Sequence, residues 1–182
     1  MRHRSGLWAL IAAALVVACN GRFSDGISLS KGRVSERSLR LGERVPDGGE
    51  AAAIGPIANP ILRGTAEFGR LVRCDGAELV FKDEEGTGAD RMMTARLRAR
   101  LRQLSTLVAR EWPELRLRVT EAWDERREHG PSSAHYEGRA ADITTSDMDP
   151  RKLGRLGRLA VDAGLDWVLY EDASHVHVSV QR

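Results

Sequence analysis

Met93, Leu97, Leu101, Leu104, Val108 and Trp112 recur at helical spacing, with arginines between them. The pattern predicts a helix beyond Gly88 that Pro113 closes. The period then changes. "LRLRVTEAW", residues 115–123, alternates as a half-buried strand does. A polar loop runs through Pro131, and residues 139–144 read as a second strand. Asp149-Pro150 is a helix start, with a capping acid and proline at the first helical position. Leu153, Leu156, Ala160 and Ala163 give the buried stripe of that helix, and Gly164 fits its C-cap. "DWVLYE" and "HVHVSV" are two further strands joined by a turn at Asp172 to Ser174. Together these elements predict an α+β domain over residues 61–182, a small antiparallel sheet packed with two main helices.

Upstream the periodicity fades. Residues 19–60 are rich in Gly, Ser, Arg and Glu, and "VPDGGEAAAIGPIANP" reads as a flexible tether. Residues 1–18 begin with basic residues and continue into an apolar run from Leu7 to Val17. That is the pattern of a secretory signal peptide, too short for a comfortable membrane span. It ends in "LVVAC", which resembles a lipoprotein cleavage box with Cys19 as the lipidated residue. Asn20 after it resembles the signal for outer-membrane delivery. Lipidation would leave Cys74 unpaired; ordinary cleavage near Ala18 would leave open a Cys19–Cys74 bridge in an exported compartment.

The chain has 182 residues and a formal net charge of +2, so its charge gives no reason to expect a nucleic-acid partner. Its cations are scattered arginines, with lysine only at Lys31, Lys82 and Lys152, and they read as solvated helix faces.

Chemistry concentrates near the strands. His135, Asp142, His175 and His177 are imidazole and carboxylate groups of the kind that hold zinc. His175 and His177 lie two apart, on one face of a strand. His135 and Asp142 are seven apart and would face opposite ways on a straight strand, so a bend is expected at Gly138. A catalytic zinc takes three protein ligands and keeps one position open, which leaves one of the four with another task. Glu171 precedes His175 by four residues, across the turn, and can act there as a general base.

"FKDEEGTGADRMMT", "LRVTEAWDE", "HYEGRAADITTSD", "LAVDAGLDWVLYE" and "SHVHVSV" resemble, in order, successive blocks of the Hedgehog N-terminal signalling domain. That domain is similar in turn to zinc D-alanyl-D-alanine carboxypeptidases. The resemblance implies that His135, Asp142 and His177 hold zinc, that Glu171 is the base, and that His175 stabilises an oxyanion. It also brings His129 to the cleft.

Asp83, Glu84, Glu85 and Asp90 precede the first helix, and Glu121, Asp124 and Glu125 end the first strand. They read either as a solvated acidic loop or as a calcium site, since hard cations need several carboxylate oxygens. The Hedgehog resemblance implies calcium at Glu84, Glu85, Asp90, Glu121 and Asp124. It also carries a departure: Arg126 stands where the family has a further acid, so one ion is expected instead of two. The sequence given lacks the self-splicing region of animal Hedgehog precursors, which with Cys19 suggests a bacterial exported protein.

Two readings follow. One is an exported zinc peptidase, lipid-anchored in the cell envelope at the outer membrane facing the periplasm, acting on peptidoglycan stem peptides or D-alanyl termini. The other is a non-catalytic, calcium- and zinc-containing protein-binding module.

Overall fold

Helix packing decides which sheet face is left for chemistry. The computed structural model describes residues 37–182. Six strands form the main sheet: β1 (Arg44–Val45), β3 (Leu79–Phe81), β5 (Leu117–Glu121), β6 (Ala140–Thr145), β7 (Trp167–Leu169) and β8 (Val176–Ser179). Their order is β1-β7-β8-β6-β5-β3. A second small sheet pairs β2 (Val72–Arg73) with β4 (Met92–Met93). The helices are α1 (Glu50–Ile54), α2 (Ala95–Glu111) and α3 (Leu153–Asp162).

The expected α2 is present, and its start is fixed by Thr94, whose hydroxyl accepts from the Leu97 N–H. Its buried stripe is Leu97, Leu101, Leu104 and Val108. Helix α3 follows a 3-10 turn over Pro150–Lys152, which Asp149 caps as expected. Both helices cover one face of the sheet. Leu117, Val119, Ala141, Ile143, Val168, Val176 and Val178 join them in one buried cluster. The strand period of two sends Arg118, Asp142, Thr144 and His177 to the opposite face. The helices thus bury the apolar half of each strand, and the polar half is left to build the site.

Two expectations are corrected. The sheet is mixed, because β3 and β5 are parallel. The chain between them contains α2, and a helical crossover returns the second strand in the same direction. The supposed tether also belongs to the fold from Leu39 onward. Leu39 is only 4% exposed, and its N–H donates to the Gly154 carbonyl. It lies where a Cβ at Gly154 would sit 2.4 Å from the Leu39 carbonyl oxygen, so glycine there admits the segment. β1 then pairs with β7, and Ile54 is buried with Ala134, Ala140 and Trp167. These contacts offset the chain entropy that a free tether would keep.

Candidate metal centre

The central strands β6 and β8 bring the site together. They pair antiparallel with Asp142 opposite His177. Ala140 and Ala141 are fully buried, and their small side chains suit the middle of the sheet. The bend expected at Gly138 is present, with φ of 62° in the left-handed region. It ends a 3-10 turn, Ala134–Glu137, so His135 approaches from a turn and meets Asp142 from the side. Glycine is required there twice over, because a Cβ would also come within 2.9 Å of a Leu71 methyl.

Three ligand-type atoms converge. Nδ1 of His177 lies 3.0 Å from Oδ1 of Asp142 and 3.3 Å from Nε2 of His135. Nε2 of His135 lies 3.4 Å from the same Asp142 oxygen. Three corners of a tetrahedron with bonds of about 2.0–2.1 Å are separated by roughly 3.3 Å, so these three atoms fit one tetrahedral ion. The outer nitrogens are also engaged. Nδ1 of His135 lies 2.7 Å from the Ala122 carbonyl, and Nε2 of His177 lies 2.8 Å from Oε1 of Glu50. Such partners fix which nitrogen faces a metal.

Charge is concentrated here. Burial alone would suppress the His177 imidazolium, but hydrogen bonds to Asp142 and Glu50 raise its pKa to about 10. Burial likewise opposes ionisation of Asp142, yet His135, His129 and His177 hold its carboxyl well below the usual range. A divalent cation at the centre would supply the positive charge that a bound proton supplies in its absence.

Glu171 and His175 stand at the rim. His175 Nε2 is 3.2 Å from a Glu171 oxygen and 3.7 Å from Oδ2 of Asp142. Asp142, Glu171 and His177 each offer a ligand atom within 4.8 Å of the others. His129 stacks on His135, with ring centroids 4.2 Å apart. Its Nδ1 meets Asp124 at 2.9 Å and its Nε2 meets Asp142 at 3.7 Å. The Asp142 interaction, reinforced by Asp124 and Glu121 and opposed by burial, raises His129 to about 9.

The acidic residues sort differently from the sequence expectation. Glu85, Asp90, Glu121 and Asp124 line one small cavity of about 20 Å³. Glu121 reaches it through a bulge in β5, where the register shifts between Val119 and Glu121. Burial, then the charges of Asp142, Asp124 and Asp90, raise Glu121 to about 7 against the pull of His129. Burial, with Glu85 and Asp83 adding, raises Asp90 to about 6 against two backbone hydrogen bonds. Glu84 is not in this cavity; it pairs with Lys82 at 2.7 Å. Asp124 lines the cavity but has its carboxylate filled by its own loop. Its oxygens accept from the N–H groups of Arg126, Arg127, Glu128 and His129. Arg126 lies at the rim, 4.0 Å from Glu85.

The Hedgehog amino-terminal signalling domain model matches residues 25–179. The chain belongs to the Hedgehog signalling-domain family. Among its Hedgehog relatives, the "Protein hedgehog" of Drosophila hydei is 50% identical over 145 residues, 79% of this chain and 30% of that protein. "Indian hedgehog protein" of Gallus gallus is 51% identical over 129 residues, 71% of this chain and 32% of the relative. The "Protein hedgehog" of Drosophila erecta is 43% identical over 182 residues, 97% of this chain and 39% of the relative. The chain therefore spans about a third of the length of these curated Hedgehog relatives.

Glu50 lies within residues 19–60, which the sequence presents as a flexible tether, so no site residue is expected there. The signal was "EAAAI", one amphipathic turn, too short to stand out. The signal peptide and Cys19 lie outside the described residues. Among the described residues no helix is long and apolar enough to cross a membrane, and Cys74 is a buried free thiol.

Proposed function

We propose that this chain is a Hedgehog-type protein-binding module in which one metal centre is structural and a neighbouring acidic cavity takes calcium. The observation that carries the reading is the Hedgehog signalling-domain match over residues 25–179, with a metal trio whose side chains are largely buried although Asp142 and His177 each line an open cavity. His135 is fully buried, Asp142 is 6% exposed and His177 is 8% exposed. Two imidazoles and one carboxylate suit zinc, with Glu50 and the Ala122 carbonyl as outer partners. Zinc there would tie β6 and β8 to the turn that carries His135. It would stabilise the fold by mass action. His129 joins the two sites, since its ring touches both Asp142 and Asp124.

A second reading, zinc-dependent peptide hydrolysis, is favoured by one observation: Glu171 lies near the trio. In that reading zinc supplies Lewis acidity and Glu171 moves the proton. One experiment separates the two. Zinc-loaded protein and Glu171→Gln are incubated with a panel of peptides and peptidoglycan fragments, including D-alanyl termini. The module reading expects no zinc-dependent cleavage by either, with zinc content and thermal stability unchanged in Glu171→Gln. Cleavage by the wild type that falls at least about a hundredfold in Glu171→Gln would establish the peptidase.

Calcium is proposed at Glu85, Asp90 and Glu121, with Asp124 building the wall. The cavity has room for one small ion, and Arg126 supplies positive charge at its rim. Calorimetric titration should give one calcium per chain, and bound calcium should raise the unfolding temperature. Glu84→Ala should leave binding unchanged, whereas Asp90→Asn should weaken it at least about tenfold. Arg126→Asp should create capacity for a second ion. No binding at millimolar calcium would overturn the site.

The module is proposed to be exported and held to a membrane by lipid at Cys19, following the "LVVAC" pattern. Cys19→Ala should move it from the membrane to the soluble fraction of the cell envelope. Unchanged fractionation would rule out lipid as the anchor.

A further inference from the structure

We infer that Glu50 is a positioning residue that couples docking of the N-terminal segment to occupancy of the metal centre. The inference rests on the metal reading above and concerns how that centre is controlled.

Three observations lead to it. First, Glu50 is bonded to the far side of a trio member. Its Oε1 lies 2.8 Å from Nε2 of His177, while Nδ1 of His177 faces Asp142 and His135. A carboxylate accepting from Nε2–H makes Nδ1 the nitrogen that a metal takes, in exchange for the Nδ1 proton, and makes it more basic. Second, Glu50 comes from a distant part of the chain, 127 residues from His177. Third, the segment that carries it is fastened on both sides. Before it, β1 pairs with β7, and the Gly48 carbonyl accepts from the Trp167 indole. After it, the carbonyls of Ile54 and Pro56 accept from the buried Arg139.

Trp167 closes the arrangement. Its ring meets the edge of His177 at 5.7 Å, and its indole N–H holds the Gly48 backbone. The same side chain therefore contacts a proposed metal ligand and the docked segment. When the segment docks, Glu50 and Trp167 together set the ring of His177. When it leaves, Nε2 loses its acceptor, and the ring can turn so that Nδ1 no longer faces Asp142 and His135.

Linkage makes the coupling reciprocal. Outer-sphere partners of metal-bound histidine change metal affinity by about 10–100-fold. If docking raises zinc affinity by that factor, zinc must favour docking by the same factor. Zinc at the centre then controls the hold on the N-terminal segment, and whatever precedes residue 37 is attached to a metal-dependent latch.

Zinc affinity is measured by competition with a chelator for the wild type, Glu50→Gln and Glu50→Ala. Hydrogen exchange of residues 43–54 is followed with and without zinc. The His177 imidazole is read by nitrogen NMR. Affinity should fall in the order wild type, Gln, Ala, with Glu50→Ala about 10–100-fold weaker. Zinc should slow exchange of residues 43–54 in the wild type by a similar factor and have little effect in Glu50→Ala. The Nε2–H signal of His177 should lose its hydrogen-bonded shift in Glu50→Ala, a change that a purely packing role would not produce. Glu50→Gln keeps the shape and one acceptor, so it tests charge even if the alanine variant loosens the fold. Equal zinc affinity and an unchanged His177 signal in both variants would overturn the coupling while leaving the metal centre intact. Failure of the wild type to bind zinc would overturn the metal reading itself.

Discussion

Asp142→Asn should strip the protein of stoichiometric zinc. Oδ1 of Asp142 is the only anionic atom of the trio, 3.0 Å from His177 and 3.4 Å from His135. Asparagine keeps the shape and removes the charge. Loss of an outer partner already costs about 10–100-fold in affinity, so loss of the anionic ligand should cost at least about a hundredfold. The stability effect follows by mass action. At fixed zinc in excess, a hundredfold weaker affinity removes roughly 2.7 kcal/mol. For a chain of this size that lowers the unfolding temperature by about 5–11 °C. With a chelator present, this zinc-dependent part of the difference should vanish. His175→Ala is the control, because His175 meets Asp142 only at 3.7 Å and through the other oxygen. Elemental analysis decides the matter: full zinc content in Asp142→Asn would remove Asp142 from the ligand set.

The four candidate ligands were legible from residue type and spacing, but the choice of His135, Asp142 and His177 among them rests on the Hedgehog resemblance. Alternation along "HVHVSV" put His177 on the face opposite Val176 and Val178, and those valines lie in the core. The odd spacing of His135 and Asp142 demanded a bend, and Gly138 supplies it. Glu50 was not legible because no local pattern connects it to His177. Its position depends on β1 reaching β7 and on Leu39 reaching the glycines of α3. The parallel strand was missed for a related reason. Three residues, Leu79–Phe81, are too few to show a period. The helix that follows them was the available clue, since strand, helix and strand in succession favour a parallel pair. Among the acids, side-chain direction was decisive. Glu84 turned to Lys82, two residues away, and Asp124 turned into its own loop. Composition marks an acidic cluster, but it does not tell which oxygens remain free.

Arg139→Met should produce the largest loss of stability from a single change outside the metal centre. Arg139 is 1% exposed although it carries a full charge. Its Nε donates to Glu137 at 2.6 Å, and a second guanidinium nitrogen contacts the same carboxylate. Its remaining donors reach the carbonyls of Ile54, Val180 and Pro56. One side chain therefore ties the start of β6 to the end of β8 and to the segment after α1. Methionine fills similar volume but leaves Glu137, itself 7% exposed, with a weaker set of partners. Arg182 at 2.9 Å and the Ala58 N–H remain. Removing one member of a buried ion pair costs about 3–5 kcal/mol, because the other charge stays desolvated. That corresponds to roughly 6–20 °C in unfolding temperature, toward the lower end because Arg182 persists. Arg139→Met combined with Glu137→Leu should recover part of the loss, since it removes the stranded charge. Calorimetry on the single and double variants tests this, and a fall below about 3 °C in the single variant would show that water replaces the guanidinium. The same substitution frees the carbonyls that hold α1 down. Zinc affinity should therefore drop together with stability, although Arg139 makes no contact with the trio among its hydrogen bonds and ion pairs.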